Sequence, residues 1–378
     1  MVELVSCVKK HFGPLAKGCD LCVLGRKSVI FVTGLCHYKC FYCPISDDKR
    51  GKDIVKVNEK VITLPDNDCA LQDLFNEIIA CQSLGASLTG GDPLAKLNRT
   101  CKYISALKNR FGEDFHIHLY TSLPFVSQDA FLRLEKAGLD ELRFHVDLED
   151  INSWPKMLFV EGCSFDVGIE IPIIPFHLEK TKELIYFAKQ SGVINFINLN
   201  ELEYSDVSDS SLIKRGMVVK DSLSYGIKGS EELAYELISF GEKIGLRFHY
   251  CSAGFKDGVQ LANRLRLRAQ KTAKEYDLVD EEGMITRGEI ISNSNDVDLE
   301  DVRLFFEEQF DVPSDLMELK NNVLHIASWV LRELVLELEK LSKDKELGDE
   351  MSWYKHISFF IVTHYPTADK FFISREEL

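Results

Sequence analysis

The first 250 residues alternate short apolar runs with longer stretches of helical periodicity. Residues 27–33 form an apolar, β-branched run that stops at Gly34, which predicts a buried strand leading into a loop. Residues 70–84 repeat apolar side chains three and four positions apart, which predicts an amphipathic helix. Residues 86–89 predict a second short strand, and this strand ends in the sequence Gly-Gly-Asp-Pro.

The same alternation continues to about residue 250. Further helices are predicted at 98–111, 127–137, 177–190 and 230–244. Further strands are predicted at 115–121, 142–147, 165–173, 194–199 and 246–250. Strands separated by helices of this length build repeated βαβ units around a parallel sheet. The sequence therefore predicts an α/β fold, in the form of a partial or full (βα) parallel barrel.

Two regions depart from this alternation. Residues 205–229 are rich in Ser, Asp and Gly, which predicts an excursion at the top of the sheet. Beyond about residue 275, the pattern predicts a hairpin over 277–291, a long amphipathic helix within 314–343 and two strands within 357–374. The predicted domains are a cysteine-containing arm at 1–26, a barrel at 27–270 and a small α+β domain at 275–378.

Composition narrows the class of protein. Apolar residues make up 45% of the 378 residues and charged residues 28%, which is typical of a soluble globular protein. No apolar run reaches the roughly 18 residues that a membrane span requires, and residues 1–10 lack the apolar core of a secretory signal. We therefore expect a cytoplasmic protein with no membrane partner. The net charge of −15 argues against non-specific nucleic-acid binding, because phosphate backbones select basic surfaces.

The cysteines are concentrated near the N-terminus, with six of the 11 in the first 43 residues. Cytoplasmic thiols stay reduced, so clustered cysteines indicate a metal or redox site. Cys36, Cys40 and Cys43 directly follow the first predicted strand, with the spacing C-x3-C-x2-C. Thiolates are the usual ligands of iron–sulfur clusters, and the lack of a nearby fourth cysteine would leave one iron open for chemistry. A zinc site is the alternative, since zinc also accepts cysteines at this spacing.

This loop has an aromatic residue just before its third cysteine, and it resembles the signature of the radical S-adenosylmethionine (SAM) superfamily. The resemblance implies a [4Fe–4S] cluster held by Cys36, Cys40 and Cys43, with SAM chelating the open iron. It also implies reductive cleavage of SAM to a 5′-deoxyadenosyl radical, which abstracts hydrogen from a substrate, and an electron donor such as ferredoxin or flavodoxin. The implied fold is a barrel of the radical SAM type.

A second motif supports the resemblance. Gly90-Gly91-Asp92-Pro93 closes the second predicted strand and is similar to the Gly-Gly-Glu-Pro motif of the superfamily, with Asp92 in place of the commoner glutamate. In the superfamily this segment contacts the amino group of SAM through its backbone, and glycines permit that close approach. The motif stands at the carboxyl end of a strand, where active sites of parallel barrels collect.

Further SAM contacts are expected at the ends of later strands. Glu170 is the strongest choice, because a carboxylate in an otherwise apolar strand needs a polar partner, and the ribose or ammonium of SAM would provide one. The residues that the resemblance assigns to SAM are Tyr42, Gly90, Gly91, Asp92, Thr121, Glu170 and Asn198.

Within the superfamily, the chain most resembles an archaeal-type subgroup related to pyruvate-formate-lyase-activating enzyme. The segments that carry this likeness are Lys17–Cys43, Asn198–Ser205 and His249–Gln260. The subgroup is defined by relatedness, so the substrate stays open among a protein residue, an RNA nucleoside, a lipid and a small metabolite. The alternative function is a zinc- or cluster-stabilised binding module without turnover.

The remaining clustered cysteines suggest a second metal site, either zinc or an auxiliary iron–sulfur cluster. Cys19 and Cys22 form a C-x2-C pair before the first strand, and Cys251 ends the last predicted barrel strand. First and last strands of a barrel can be neighbours, which would bring these residues together, with Cys7 as a fourth ligand. The alternative is that they are ordinary thiols.

Overall fold

The computed structural model describes residues 11–63, 67–205, 209–222, 224–342 and 351–378, so Cys7 lies outside the described residues. The chain forms two compact units, one ending at Arg264 and the other beginning at Leu265. We describe each unit by itself.

The first unit is built on one large sheet. Its strands are β1 His11–Phe12, β2 Lys27–Thr33, β3 Val55–Val57, β4 Lys60–Ile62, β5 Gly85–Gly90, β6 His116–Ser122, β7 Glu141–His145, β8 Asp166–Ile173, β9 Phe196–Glu201 and β10 Arg247–Cys251. Their order across the sheet is β1-β10-β9-β8-β7-β6-β5-β2-β3-β4. Among the described residues, the seven strands from β10 to β2 in this order run parallel, and only the edge strands pair antiparallel.

Helices connect the parallel strands. They are α1 Lys17–Val23, α2 Asp68–Ala80, α3 Leu97–Phe111, α4 Gln128–Ala137, α5 Leu178–Ser191, α6 Asp209–Lys214, α7 Ser230–Ile244, α8 Ala253–Phe255 and α9 Ala262–Thr272, the last of which crosses into the second unit. Short 3-10 segments cover Pro93–Lys96, Leu123–Phe125 and Ile151–Val160, and a π-helical turn covers Lys256–Leu261. These alternating elements confirm the predicted βαβ organisation around a parallel sheet.

The two faces of the parallel sheet differ in chemistry. On β7, Leu142 and Phe144 are fully buried, and the Phe144 ring lies 5.9 Å from Phe131 of α4 in the apolar core beneath the helices. The alternate residues of the same strand, Glu141 and Arg143, bond to one another and point to the opposite face. Because strand side chains alternate between faces, one side of the sheet forms the core and the other carries buried polar groups.

The parallel sheet is open at one seam, which corrects the expectation that the first and last barrel strands are neighbours. In the described residues, no strand pairing joins β2 to β10. Instead, α1 contacts β2, β5 and β6 and also the π-helical turn that follows β10. Its Gly18 N–H donates to Glu141 Oε2 (3.0 Å), and Asn263 Nδ2 donates to the Val23 carbonyl (2.8 Å). The N-terminal helix therefore occupies the seam.

The second unit is a separate antiparallel sheet with its own core. Its strands are β11 Leu278–Val279, β12 Ile285–Ser292, β13 Met317–Lys320, β14 Val323–Ile326, β15 Ile357–His364 and β16 Phe372–Glu377. The order is β13-β14-β12-β15-β16, with β11 on β12. Helices α10 Leu299–Phe310 and α11 Ser328–Leu341 cover the sheet, and 3-10 turns lie at Ser314–Leu316 and Ser352–His356.

The helix predicted within 314–343 occupies only the second half of that range. Residues 317–326 form a hairpin, because Asn321 and Asn322 adopt left-handed φ angles of 52° and 59°. Two consecutive left-handed residues are what a tight two-residue hairpin turn requires, and asparagine tolerates that conformation. The predicted hairpin and the two C-terminal strands are present in this unit. No helix among the described residues is long and apolar enough to cross a membrane.

Candidate active site

The carboxyl ends of the parallel strands surround a cavity of about 470 Å³. Its walls come from the loop after β2, the ends of β5, β6, β7, β8 and β9, and the turn after β10. The polar lining includes Cys36, Cys40, Cys43, Tyr42, Tyr120, Thr121, His145, Glu170, Asn200, Glu203 and Lys256. This is the end of a parallel α/β sheet at which ligands bind, because loops from several strands converge there.

The cysteine loop is closed at its base by backbone contacts. Gly34 N–H donates to the Lys52 carbonyl and Gly51 N–H donates to the Gly34 carbonyl, both at 2.8 Å. A Cβ on Gly34 would lie 1.8 Å from the Lys49 carbonyl oxygen, so only glycine permits this closure. The chain between these points therefore returns on itself and presents its cysteines to the cavity.

The three thiols fit an iron–sulfur cluster by their chemistry and position. Cys36 is exposed, Cys40 and Cys43 are half-buried, and all three line the same cavity. In the described part of the chain, no three His, Cys, Asp or Glu side chains are placed to hold a single metal ion. A cubane cluster takes one thiolate per iron, so its ligands stand apart around the cube, with one iron left for an external ligand.

The Gly-Gly segment packs directly on the base of the cysteine loop. Gly91 N–H donates to the Thr33 carbonyl (2.7 Å), and Asp92 N–H donates to the Leu35 carbonyl (2.8 Å). A Cβ on Gly91 would lie 2.3 Å from the Leu35 carbonyl oxygen, and Gly90 has a φ of +133°. The sequence interpretation assigned these glycines to close approach by SAM. The contacts within the chain require glycine at both positions on their own.

Gly91→Ala is therefore expected to displace Leu35, the residue next to Cys36. Because the colliding atom is backbone, the displacement should lower cluster occupancy and weaken SAM binding about tenfold or more. Iron content and calorimetric titration with SAM measure the two effects. Gly254→Ala is the matched control, since a Cβ there meets nothing within 4 Å. Unchanged iron content and SAM affinity in Gly91→Ala would contradict the prediction.

Asp92 has its carboxylate directed into the protein. Its Oδ1 accepts from Leu94 N–H (3.0 Å) and Thr121 Oγ1 (2.9 Å), and its Oδ2 accepts from the backbone N–H of Ser122 (2.9 Å). Asp92 thereby joins the end of β5 to the end of β6. These contacts fix the wall of the cavity, whereas direct contact of Asp92 or Thr121 with SAM stays a prediction.

The Glu170 carboxylate is already hydrogen-bonded to side chains of the protein, so its negative charge does not require a group of SAM as a partner. Its Oε2 accepts from Arg143 Nη1 (2.6 Å) and Asn198 Nδ2 (3.0 Å), and its Oε1 accepts from Asn200 Nδ2 (2.9 Å). Burial alone would raise the pKa of Glu170, but Arg143 and the two amides outweigh burial and lower the pKa to about 2. Glu170 therefore stands at the cavity wall as a fixed anion.

Arg143 lies at the centre of this buried network. Its guanidinium also bonds Glu141 (2.5 Å) and the Tyr120 hydroxyl (3.2 Å), and it contacts Cys19 Sγ at 3.4 Å. Burial works against the charged form of Arg143, yet Cys19, Glu141 and the other acidic groups around it raise its pKa well above the ordinary value. Asn198 lies with this network and bonds both Glu170 and Cys19, and its contact with SAM stays a prediction.

Comparison with known proteins decides the family. No family model matches the chain. A protein of Methanocaldococcus jannaschii, which carries the name of a glycyl-radical enzyme activating enzyme, is 34% identical over 392 residues, covering 99% of this chain and 95% of that protein. The chain belongs to this activating-enzyme family of the radical SAM superfamily. It is thus a radical SAM enzyme, and the family implies a [4Fe–4S] cluster and SAM as its cofactors.

Two solved structures overlap the chain in part. Coproporphyrinogen III oxidase of Escherichia coli is 13% identical, with a TM-score of 0.38 over 65% of this chain and 61% of that one. Methylornithine synthase is 12% identical, with a TM-score of 0.38 over 66% of this chain and 81% of that one.

Three cavity residues of this activating-enzyme family member were not among the residues assigned to SAM. Asn200, His145 and Lys256 all line the cavity, and His145 Nε2 lies 3.1 Å from the Tyr42 hydroxyl. Asn200 lies two residues from Asn198, and His145 lies two residues from Arg143. Strand residues two apart share a face. That period was the available signal for both. Lys256 follows Cys251 by five residues and lies within the segment His249–Gln260 that carries the family likeness, but it was not singled out there.

The cysteines of the predicted second metal site, Cys19, Cys22 and Cys251, lie near one another, and each is hydrogen-bonded to another side chain of the protein. Cys22 Sγ donates to Gln260 Oε1 (2.9 Å), and Gln260 Nε2 donates to Cys251 Sγ (3.4 Å), so one amide lies between the two sulfurs. Cys19 accepts from Arg143 and Asn198. Burial raises the pKa of Cys19 to about 11 and that of Cys251 to about 12, which keeps both as thiols in the absence of a metal.

The second metal site, with Cys7 outside the described residues, stays a prediction. If this site exists, the purified chain should carry metal beyond the approximately four irons of one cubane cluster, either as zinc or as additional iron. Metal analysis of the anaerobically purified chain, beside a Cys22→Ser variant, measures this directly. The variant should lose only the additional metal. A wild-type content of about four irons without zinc would show that Cys19, Cys22 and Cys251 are ordinary thiols.

Proposed function

We propose that this radical SAM enzyme abstracts a hydrogen atom from a glycine residue of a partner protein. When bound, the cluster and SAM supply the chemistry: one electron and SAM give methionine and a 5′-deoxyadenosyl radical, which takes the glycine Cα hydrogen to yield 5′-deoxyadenosine and a glycyl radical. The electron would come from a protein donor such as ferredoxin or flavodoxin. The glycine target is supported by the name of the M. jannaschii relative.

The observation that carries the proposal is the grouping of cofactor-binding chemistry around one cavity. Cys36, Cys40 and Cys43, the proposed cluster ligands, line the same cavity as Gly91 and Glu170. Glu170, held ionised by Arg143, offers a fixed acceptor for a hydroxyl or ammonium group of SAM.

Deuterium transfer tests the proposal. The anaerobically reconstituted enzyme would be incubated with SAM, a chemical reductant and extract from cells fed α-deuterated glycine. We expect deuterium in the 5′-deoxyadenosine produced and an organic radical in the protein fraction by electron paramagnetic resonance. A parallel incubation with extract from cells grown in fully deuterated medium is the control for target identity.

The two extracts separate the parts of the proposal. Deuterium from the fully deuterated extract alone would retain hydrogen abstraction and overturn glycine as the target. Formation of 5′-deoxyadenosine without deuterium from either extract would leave SAM cleavage without a hydrogen donor in the cell extract and would overturn the proposal.

A further inference from the structure

The segment between β9 and α7 forms a small apolar cluster of its own. Within the described residues of this excursion, Glu203 pairs with Gly226 and Val219 with Ile227 as antiparallel bridges, and Ile227 N–H donates to the Leu202 carbonyl (2.7 Å). The buried members of the cluster are Ile174, Leu202, Leu212, Met217 and Ile227. This cluster is distinct from the core beneath the barrel helices, so the described residues of the excursion share a small core of their own with Ile174.

The cysteine loop packs its two central aromatic residues against this cluster. Phe41 and Tyr42 stand between Cys40 and Cys43, and both are half-buried on the excursion's apolar residues. The Arg215 guanidinium carbon lies 4.1 Å from the centroid of the Phe41 ring, well within the range of a cation–π contact. Arg215 is itself fixed by donation from Nη1 to the Ser211 carbonyl (3.2 Å).

The same half of the loop is held from two other directions. The Tyr42 hydroxyl lies 3.1 Å from His145 Nε2, and Arg50 Nη2 donates to the carbonyls of Cys43 (3.1 Å) and Ile45 (3.2 Å). Phe41 and Tyr42 are thus the loop residues through which the excursion contributes to the position of the two flanking cysteines, and Phe41 also holds Arg215. A cubane cluster requires each thiolate at a set position, so this contact bears on cluster binding.

We propose that the described residues of the excursion, 202–205, 209–222 and 224–229, are part of the cluster-binding site, with Phe41 and Arg215 as positioning residues that hold Cys40 and Cys43 for the cluster. Both act through the loop and neither supplies a ligand. The inference rests on the cysteine loop as the cluster site and is independent of which substrate the enzyme acts on.

Iron release and thiol reactivity test the proposal without an activity assay. In the holoprotein, the rate of iron transfer to a ferrous chelator would be measured anaerobically; in the apoprotein, the rate of alkylation of Cys40 and Cys43 would be followed by mass spectrometry. An exposed cation–π contact predicts that Arg215→Ala raises both rates about two- to fivefold. Phe41→Ala should raise them about tenfold, because it also removes the ring from the apolar cluster.

A matched control and a double variant make the test specific. Lys214→Ala removes the neighbouring exposed cation and should leave both rates unchanged. In a Phe41→Leu background, which keeps apolar packing but has no ring, Arg215→Ala should have no further effect. Equal acceleration by Lys214→Ala, no acceleration by Arg215→Ala, or a full Arg215 effect in the Phe41→Leu background would each overturn the proposal.

Failure of the cluster assignment gives a different result. If the wild-type chain binds no iron at Cys36, Cys40 and Cys43, the cluster site itself is wrong. If the wild-type chain binds the cluster, but Arg215→Ala and Phe41→Ala show the same rates of iron transfer and alkylation as Lys214→Ala, the enzyme assignment stands and only the positioning role is lost.

Discussion

Replacement of Cys36, Cys40 or Cys43 by alanine is expected to abolish both the iron–sulfur absorbance and reductive cleavage of SAM. Each thiolate holds a different iron of the cube, so removal of one ligand leaves a second iron open and the cluster unstable. The three side chains lie on the loop at the cavity and outside the apolar core, so the fold itself should survive. Iron analysis, visible absorbance and 5′-deoxyadenosine formation provide the measurements.

Cys69→Ala is the matched control for these variants, because Cys69 is an exposed cysteine at the start of α2 and does not line the cavity. Its iron content and SAM cleavage should equal those of the wild type. Full SAM cleavage in any one of the three loop variants would remove the cluster from this loop.

Arg143→Met is expected to destabilise the protein by about 3–5 kcal/mol at neutral pH, because it leaves two buried carboxylates without their cation. Arg143 is 2% exposed and bonds both Glu141 and Glu170. Thermal unfolding of the anaerobic holoprotein measures the loss. Arg133→Met, which alters a more exposed arginine with 41% of its side chain accessible, should change stability by no more than about 0.5 kcal/mol.

The pH dependence of this loss follows from the pKa of Glu170. In the wild type that pKa is lowered from 4.5 to about 2, so the stabilisation is complete above 4.5 and is lost as pH falls towards 2. In Arg143→Met, burial is opposed only by the amides of Asn198 and Asn200, so the pKa of Glu170 rises and the variant gains stability as pH falls and the carboxyl binds a proton. The stability gap to the wild type should therefore narrow between pH 7 and pH 5.

Neutralising the stranded acids should restore part of the loss. Adding Glu141→Gln and Glu170→Gln to Arg143→Met removes the buried charges, and the stability of this triple variant should vary less with pH than that of the single variant. A stability loss in Arg143→Met that is the same at pH 5 and pH 7 would show that packing, and not the buried charges, governs the effect.

The strand and helix pattern was predictable because it depends on neighbours close in sequence. The run at 27–33 became β2 Lys27–Thr33 with the same bounds, and the helix predicted at 230–244 became α7 Ser230–Ile244. The tight turn at Asn321 and Asn322 was missed because apolar periodicity extends across it, while the left-handed conformation depends on only two residues.

The sequence by itself determined the βαβ order, the three-cysteine loop and the family resemblance, since each is carried by residues a few positions apart. Only the tertiary structure decided the partners of those residues. The parallel pairing of β7 and β8 brings Arg143 to Glu170. Helix α1 occupies the open seam, which brings Cys22 to Gln260, and the excursion brings Arg215 to Phe41. These contacts join residues from 27 to 238 positions apart, and they are set by how strands pair and loops fold back, which no local periodicity records.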